Sequence, residues 1–353
     1  MKKIEKEILS VLKKFISFPT IEGNEGEMKK LLEYVKTLVP INFIIKEYTF
    51  QNKPVLVISN TDSKELDVVF CTHIDVVPHK KYELVEKGNL LYGRGTFDMK
   101  GGAVVSLLAL LNQGTTKKVG IFLTSDEEVG GNCVKELLTI YHPKFGIIPD
   151  GGNNFEFIKE EKGRLLLKVS ISTSSAHAAD LYKGENALVI LMNVYQKLLE
   201  KYPNPTSEKE WKSSICLSHL EGGTAYNQVP DYAEMILDIR RITTDFKAEF
   251  INTLKKIDER IKIDVLASET PYLTNIEDAM VKLYLQSVKK VLKKEPTITF
   301  SNSTCDGIYF TEKGIPTALM NPSGGFAHAP NEYVEKEALL KLYEIYTDFL
   351  KNI

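Results

Sequence analysis

A chain of 353 residues has room for two domains and ample apolar material for a sizeable core. Its 45 basic and 47 acidic residues leave a formal charge of −2, so no global field argues for nucleic acid or an anionic membrane. The four cysteines, at 71, 133, 216 and 305, form no Cys-x-x-Cys pair, which speaks against a zinc ribbon or a disulfide framework and for reduced, mostly buried thiols. The longest membrane-like stretch, near Ala103 to Leu111, falls far short of the roughly 20 residues that span a bilayer. With no small-residue cleavage site after the opening Met-Lys-Lys, a cytoplasmic location is expected.

Ile4, Ile8, Val11, Leu12 and Phe15 recur at helical spacing before Pro19, and Met28, Leu31, Leu32, Val35 and Leu38 repeat the pattern before Pro40. Strands are expected at 43–50, 54–59 and 67–72. Helix and strand then alternate through 102–111, 119–124, 133–141 and 145–149, as in an α/β layer with a largely parallel sheet. From Arg164 the period changes to two, with Leu165, Leu167, Val169 and Ile171 on one face. A helix over 187–199, strands near 213–220 and 233–240, a helix over 245–258 and a strand near 261–266 complete an α+β segment. After Pro271 the alternation returns, with a helix over 276–292, strands at 297–300 and 316–320, and a last helix from Val334. The expected organisation is an inserted domain over 164–270 between the two parts of an outer domain, 1–163 and 271–353.

The chemistry gathers around Asp98, which lies between glycine-rich turns in Leu91-Tyr-Gly-Arg-Gly-Thr-Phe-Asp-Met-Lys-Gly-Gly102. His73, Glu127-Glu128 and Asp150 each follow an expected strand, the position where open α/β sheets hold their ligands. Asp75 can accept the second ring N–H of His73 and so fix its tautomer. Two adjacent glutamates are cheaply buried as anions only beside a cation, and a metal site gives them different roles, one binding the ion and the other serving as base. Two ions about 3.5–4 Å apart need a bridging carboxylate, a place suited to Asp98, with His328 as the second imidazole. His79, His142 and His219 are read as surface or satisfied core residues, and the glycine runs lack the Lys-Ser/Thr of a phosphate-binding loop.

Four ordered motifs, Thr72-His-Ile-Asp-Val-Val-Pro78, Gly93-Arg-Gly-Thr-Phe-Asp-Met-Lys-Gly101, Ser125-Asp-Glu-Glu-Val-Gly130 and His328-Ala-Pro-Asn-Glu-Tyr333, resemble the zinc aminoacylase and carboxypeptidase family. That family includes succinyl-diaminopimelate desuccinylase, acetylornithine deacetylase and glutamate carboxypeptidase. The resemblance spans essentially the whole chain. It implies a zinc-peptidase-like α/β catalytic domain with a mixed, largely parallel sheet, interrupted by an α+β lid that makes a homodimer. It implies two Zn2+, with Co2+ or Mn2+ as substitutes: His73 and Asp150 on one ion, Glu128 and His328 on the other, Asp98 bridging. It implies Glu127 as general base, Asp75 as the partner of His73, and a cis peptide at Asp98-Met99. On the lid, His177 corresponds to a histidine that reaches the neighbouring subunit's site and stabilises the oxyanion. Asn227 corresponds to a substrate-contacting asparagine, and Arg240 to an arginine that pairs with a substrate carboxylate.

The expected activity is hydrolysis of the amide bond of N-acyl amino acids or short peptides with a free carboxylate, without nucleic-acid or membrane partners. Ile148-Pro-Asp-Gly-Gly152 departs from the Gly-Glu-Pro-Ser/Thr of desuccinylases and acetylornithine deacetylases and looks more like the carboxypeptidase and dipeptidase branches. Two alternatives stay open: a co-catalytic zinc aminopeptidase or dipeptidase, and a catalytically silent binding module.

Overall fold

The computed structural model describes residues 2–112, 114–207 and 209–353. The chain divides into two compact units, one built from the residues up to Lys159 together with Leu273–Ile353, the other from Glu160–Tyr272.

In the first unit, strands run in the order Ile44–Phe50, Lys53–Ser59, Val119–Thr124, Val68–His73, Gly146–Ile148, Thr317–Leu319, Phe157–Glu161. The four from Val119–Thr124 to Thr317–Leu319 are mutually parallel. Antiparallel neighbours flank them, through Lys53–Ser59 on one side and the pairing of Ile158 with Leu319 on the other. The sheet is therefore mixed with a parallel centre, and the carboxyl ends of four adjacent strands share one edge. Lys53–Ser59, Val68–His73 and Val119–Thr124 are buried throughout, as strands covered on both faces must be.

One face joins the large apolar cluster through Leu56, Ile58, Phe70, Ile121 and Leu123, packed with the helices Lys2–Ile16, Glu25–Leu38, Lys100–Asn112, Ala279–Leu292 and Lys336–Asn352. On the other face Phe122 packs against Tyr141, at the end of the helix Asn132–Ile140. The helix Lys100–Asn112 is buried from Lys100 to Leu110, which explains its uniform apolarity without a membrane. No helix among the described residues is long and apolar enough to cross one.

The second unit is a four-stranded antiparallel sheet, Ser214–Gly222, Tyr232–Arg241, Gly163–Ser172, Lys262–Ser268. Leu165, Leu167, Val169 and Ile171 are buried against the helices Ala187–Lys201 and Phe246–Ile257, the face assigned by their period of two. Of the cysteines, 71, 133 and 305 are buried, whereas Cys216 is exposed on its strand.

A small sheet has no counterpart among the strands expected from the sequence: Gly324–Gly325, Tyr333–Glu335, Leu90–Tyr92 and Val85–Lys87. It pairs Tyr333 with Tyr92 and so brings the loop before Tyr333 beside the turn after Tyr92.

Candidate metal centre and active site

His73 ends the strand Val68–His73 and is buried at the parallel edge of the sheet. Glu127 and Glu128 begin a 3-10 turn just after the strand Val119–Thr124, and Asp150 follows Gly146–Ile148. Asp98 arrives from the small sheet, through a turn that glycine makes possible. Gly95 has φ +84°, and a Cβ on Gly101 would collide with the carbonyl of Thr96. The Asp98-Met99 peptide is cis.

These side chains converge. The two oxygens of Asp98 face different imidazoles: Oδ1 lies 3.3 Å from His73 Nε2, and Oδ2 lies 3.1 Å from His328 Nε2. Asp150 Oδ2 is 3.8 Å from His73 Nε2, and Glu128 Oε2 is 3.1 Å from His328 Nε2. Among the described residues, two groups bring ligand atoms within 4.8 Å of one another: His73, Glu127, Asp150 and Asp98, Glu128, His328. Glu127 thus stands beside the first group as well as next to Glu128 in the chain.

The neighbours of His73 differ in one detail from the sequence expectation. Its Nδ1 donates to the backbone carbonyl of Asp75 at 3.1 Å, while the Asp75 carboxylate lies 3.4 Å away as a charge contact. The other carboxylate oxygen of Asp75 accepts the Glu128 N–H at 3.0 Å, so Asp75 orients one presumed ligand and anchors the backbone of another.

Charge explains the electrostatics of the cluster. Burial alone would depress His73, but the Asp75 and Asp98 carboxylates hold its pKa well above the usual imidazole value. Asp98 opposes its own burial, since His328 and His73 hold its carboxyl well below the ordinary range. Hydrogen bonds to Asp98 and Glu128 push His328 up to about 10. Burial, with the nearby Asp98, Asp75 and Glu128, pushes Glu127 up to about 8.

The residues fit a divalent cation. Four carboxylates surround two imidazoles, and His73 Nε2 is buried without a hydrogen-bond partner. Such an orphaned nitrogen facing two acids is what a ligand to a dication requires. Beside the cluster lies a cavity of about 260 Å³, lined by Glu127, Asp150 and His328 together with Ser303, Thr304 and Asn321.

His177, Asn227 and Arg240 belong to the second unit. His177 and Asn227 are exposed on and beside a two-stranded pairing of Ala176–His177 with Gln228–Val229, and the Asn227 carbonyl accepts the Ala178 N–H at 2.9 Å. Arg240 stands near the end of Tyr232–Arg241; its Nε donates to Asp238 at 3.1 Å, and Asp238 also pairs with Arg164 at 3.1 Å.

Sequence reasoning missed Arg94 and Glu332, although both lie inside the four motifs. They form a buried ion pair at 2.6 Å that touches both ligand-bearing loops. The signal in the sequence is their place, one in the Gly-Arg-Gly turn and the other four residues after His328.

A parallel-centred sheet carrying paired acid and imidazole groups at its carboxyl edge defines a metal-dependent hydrolase site. Residues 69–352 match the family described as peptidase family M20/M25/M40, and the chain belongs to it. The chain is 27% identical to an uncharacterised metallohydrolase of Methanocaldococcus jannaschii, over 94% of this chain and 93% of that protein. It is 24% identical to a succinyl-diaminopimelate desuccinylase of Nitratiruptor, over 98% of this chain and 100% of that enzyme. In fold it is similar to aminopeptidase PepT from Bacillus cereus (TM-score 0.81, 18% identity, 98% of each chain). It is also similar to the metallo-carboxypeptidase Sso-CP2 from Sulfolobus solfataricus (TM-score 0.74, 19% identity, 98% of each chain). The protein is accordingly a metallohydrolase that acts on amide bonds.

Proposed function

We propose that this metallohydrolase cleaves N-acyl amino acids or short peptides that carry a free carboxylate, using two zinc ions. One observation carries the two-ion reading: Asp98 turns one oxygen to His73 and the other to His328. His73 and Asp150 would hold one ion, Glu128 and His328 the other, with Asp98 shared between them. Bound there, the pair would supply Lewis acidity toward the substrate carbonyl and lower the pKa of water.

The chain's own groups do the rest. Glu127, in the cavity wall, takes the proton of the attacking water and delivers it to the leaving amine. Its charged form would be favoured by cations held at the neighbouring ligands, against the upward push of burial. His177 supplies a donor to the developing oxyanion. Its Nδ1 accepts the Ala179 N–H at 3.1 Å, which leaves the proton of the neutral ring on Nε2, the tautomer a donor needs. Arg240 reads the substrate carboxylate through its Nη edge, its Nε being occupied by Asp238. Asn227 contacts substrate from the same unit.

The second unit is proposed to serve as lid and dimerisation domain, placing His177 in the neighbouring subunit's site. Support comes from apolar side chains left exposed on it, Val189 and Met192 one turn apart on a helix and Val265 and Leu266 on an edge strand.

A substrate panel tests the reading. Zinc- or cobalt-loaded protein is incubated with N-acetyl amino acids, N-succinyl amino acids and dipeptides, each with a free or amidated carboxylate, and released amine is measured. Turnover confined to substrates with a free carboxylate, and abolished by a chelator, is expected. Turnover that instead demands an unblocked amine, and ignores the carboxylate, would assign the chain to aminopeptidase chemistry.

A further inference from the structure

The ion pair between Arg94 and Glu332 is a densely connected polar element outside the presumed ligands. Both side chains are almost fully buried, at 3% and 1% exposure. Every oxygen of Glu332 is used: Oε1 accepts the Phe97 and Asp98 N–H groups at 2.9 and 3.1 Å, and Oε2 accepts the Gly95 N–H at 3.0 Å beside Arg94 Nη1 at 2.6 Å. Arg94 Nη2 then donates to the carbonyls of His328 and Ala329 at 2.8 and 3.3 Å.

The pair therefore grips two loops at once, the turn that delivers Asp98 and the loop that delivers His328, which lie 230 residues apart in sequence. The His328 loop needs an external hold. Phe326 and His328 have φ of 59° and 64°, a left-handed region that non-glycine residues enter at a cost. Replacing a buried ion pair by apolar residues often costs little stability, but no apolar pair could satisfy three N–H groups and two carbonyls. Neither side chain lines the cavity beside the ligands. His73 and Asp150, by contrast, are held by strand ends that the pair does not reach.

We propose that Arg94 and Glu332 are positioning residues that preset the spacing of Asp98 and His328, and thereby bear more heavily on the metal affinity of the His328 half of the centre than on that of the His73 half. This rests on the two-ion reading of the site and adds an asymmetry to it: both halves share Asp98, but only the His328 half also takes its imidazole from a gripped loop, so loosening the pair weakens the His328 half more than the His73 half.

The test is a Co2+ titration of metal-stripped wild type, Glu332→Gln, Arg94→Lys and the double variant, followed by visible absorption and calorimetric stoichiometry. Circular dichroism and melting of each metal-stripped protein are recorded alongside. Wild type should bind two ions. In each single variant one affinity should fall about ten-fold or more, a usual effect of removing the group that orients a ligand, while the other, which loses only the hold on the shared Asp98, should fall at least about three-fold less. The double variant should be no worse than the weaker single variant, since both break one clamp. Equal losses at both sites, unchanged affinities, or metal-stripped single variants that lack folded dichroism would each overturn the proposal. A wild type that binds one ion would instead sink the two-ion reading, and the pair would then stand or fall on whether that single affinity drops ten-fold.

Discussion

Glu127 and Glu128 are neighbours in sequence with different surroundings. Glu128 is pinned: its N–H is held by Asp75, its Oε1 accepts the Val77 N–H at 3.3 Å, and its Oε2 meets His328. Glu127 faces the cavity instead. Glu127→Gln should therefore keep bound metal while turnover falls about 10²- to 10⁴-fold, because the amide preserves shape but accepts no proton. Glu128→Gln should lose metal more readily. Metal content and turnover measured on one preparation decide between the roles, and a Glu127 variant that sheds metal as easily as the Glu128 variant would reverse them. Arg240 allows a second test at this scale. Arg240→Ala should raise KM most for substrates with a free carboxylate, and amidating that carboxylate should give a similar loss. The two losses should not add, since both remove one contact; additive losses would give Arg240 another partner.

Among the elements, those with a sustained period were legible. The helices at Lys2–Ile16 and Glu25–Leu38 carry their apolar stripes where the sequence puts them, and Val119–Thr124 occupies the expected residues. The three-residue strands at Leu90–Tyr92 and Tyr333–Glu335 were not legible, because two or three residues contain no period and their pairing joins distant segments. The residues of the site followed the same division. His73, Glu127, Glu128 and Asp150 could be located from the strands they follow, and Asp98 and His328 could be nominated as bridge and second imidazole from their residue types, whereas the small sheet that brings their loops together could not be seen. The tie between Lys100 and the first helix was also hidden. Its ammonium is fully buried and donates to the carbonyls of Phe15 and Phe18 at 3.2 and 2.9 Å, partnering backbone at the end of Lys2–Ile16. Burial pushes its pKa down to about 7. The unfolded chain, with a lysine pKa of about 10.4, then binds more protons than the native one between roughly pH 7 and 10, so this residue's contribution to stability rises with pH across that window. Denaturation midpoints of wild type and Lys100→Met, compared at pH 7 and pH 9.5 with equal metal loading, should show wild type gaining on the variant as pH increases. A constant difference, or one that moves the other way, would mean that Lys100 stays charged in the fold.

At the scale of the whole molecule, the residues proposed for catalysis are divided between two compact units. The ligands and Glu127 lie in the first, and His177, Asn227 and Arg240 lie in the second. A hydrolase needs its oxyanion donor at the same carbonyl as its base, so the proposal that His177 acts in a neighbouring subunit makes dimerisation a requirement of chemistry rather than of stability alone. Mixing subunits separates these roles. His177→Ala and Glu127→Gln homodimers should each be nearly inactive, because every site lacks one group. A heterodimer of the two contains one site with both groups intact, so subunit exchange should restore up to about half the wild-type turnover per heterodimer, as one of two independent sites. Exchange is followed by differently tagged subunits and turnover is measured on the same mixture. If the subunits exchange and the mixture stays inactive, or if a stable monomer turns over normally, His177 does not act across the dimer. Its exposed imidazole would then belong to the turn it already shares with Ala179.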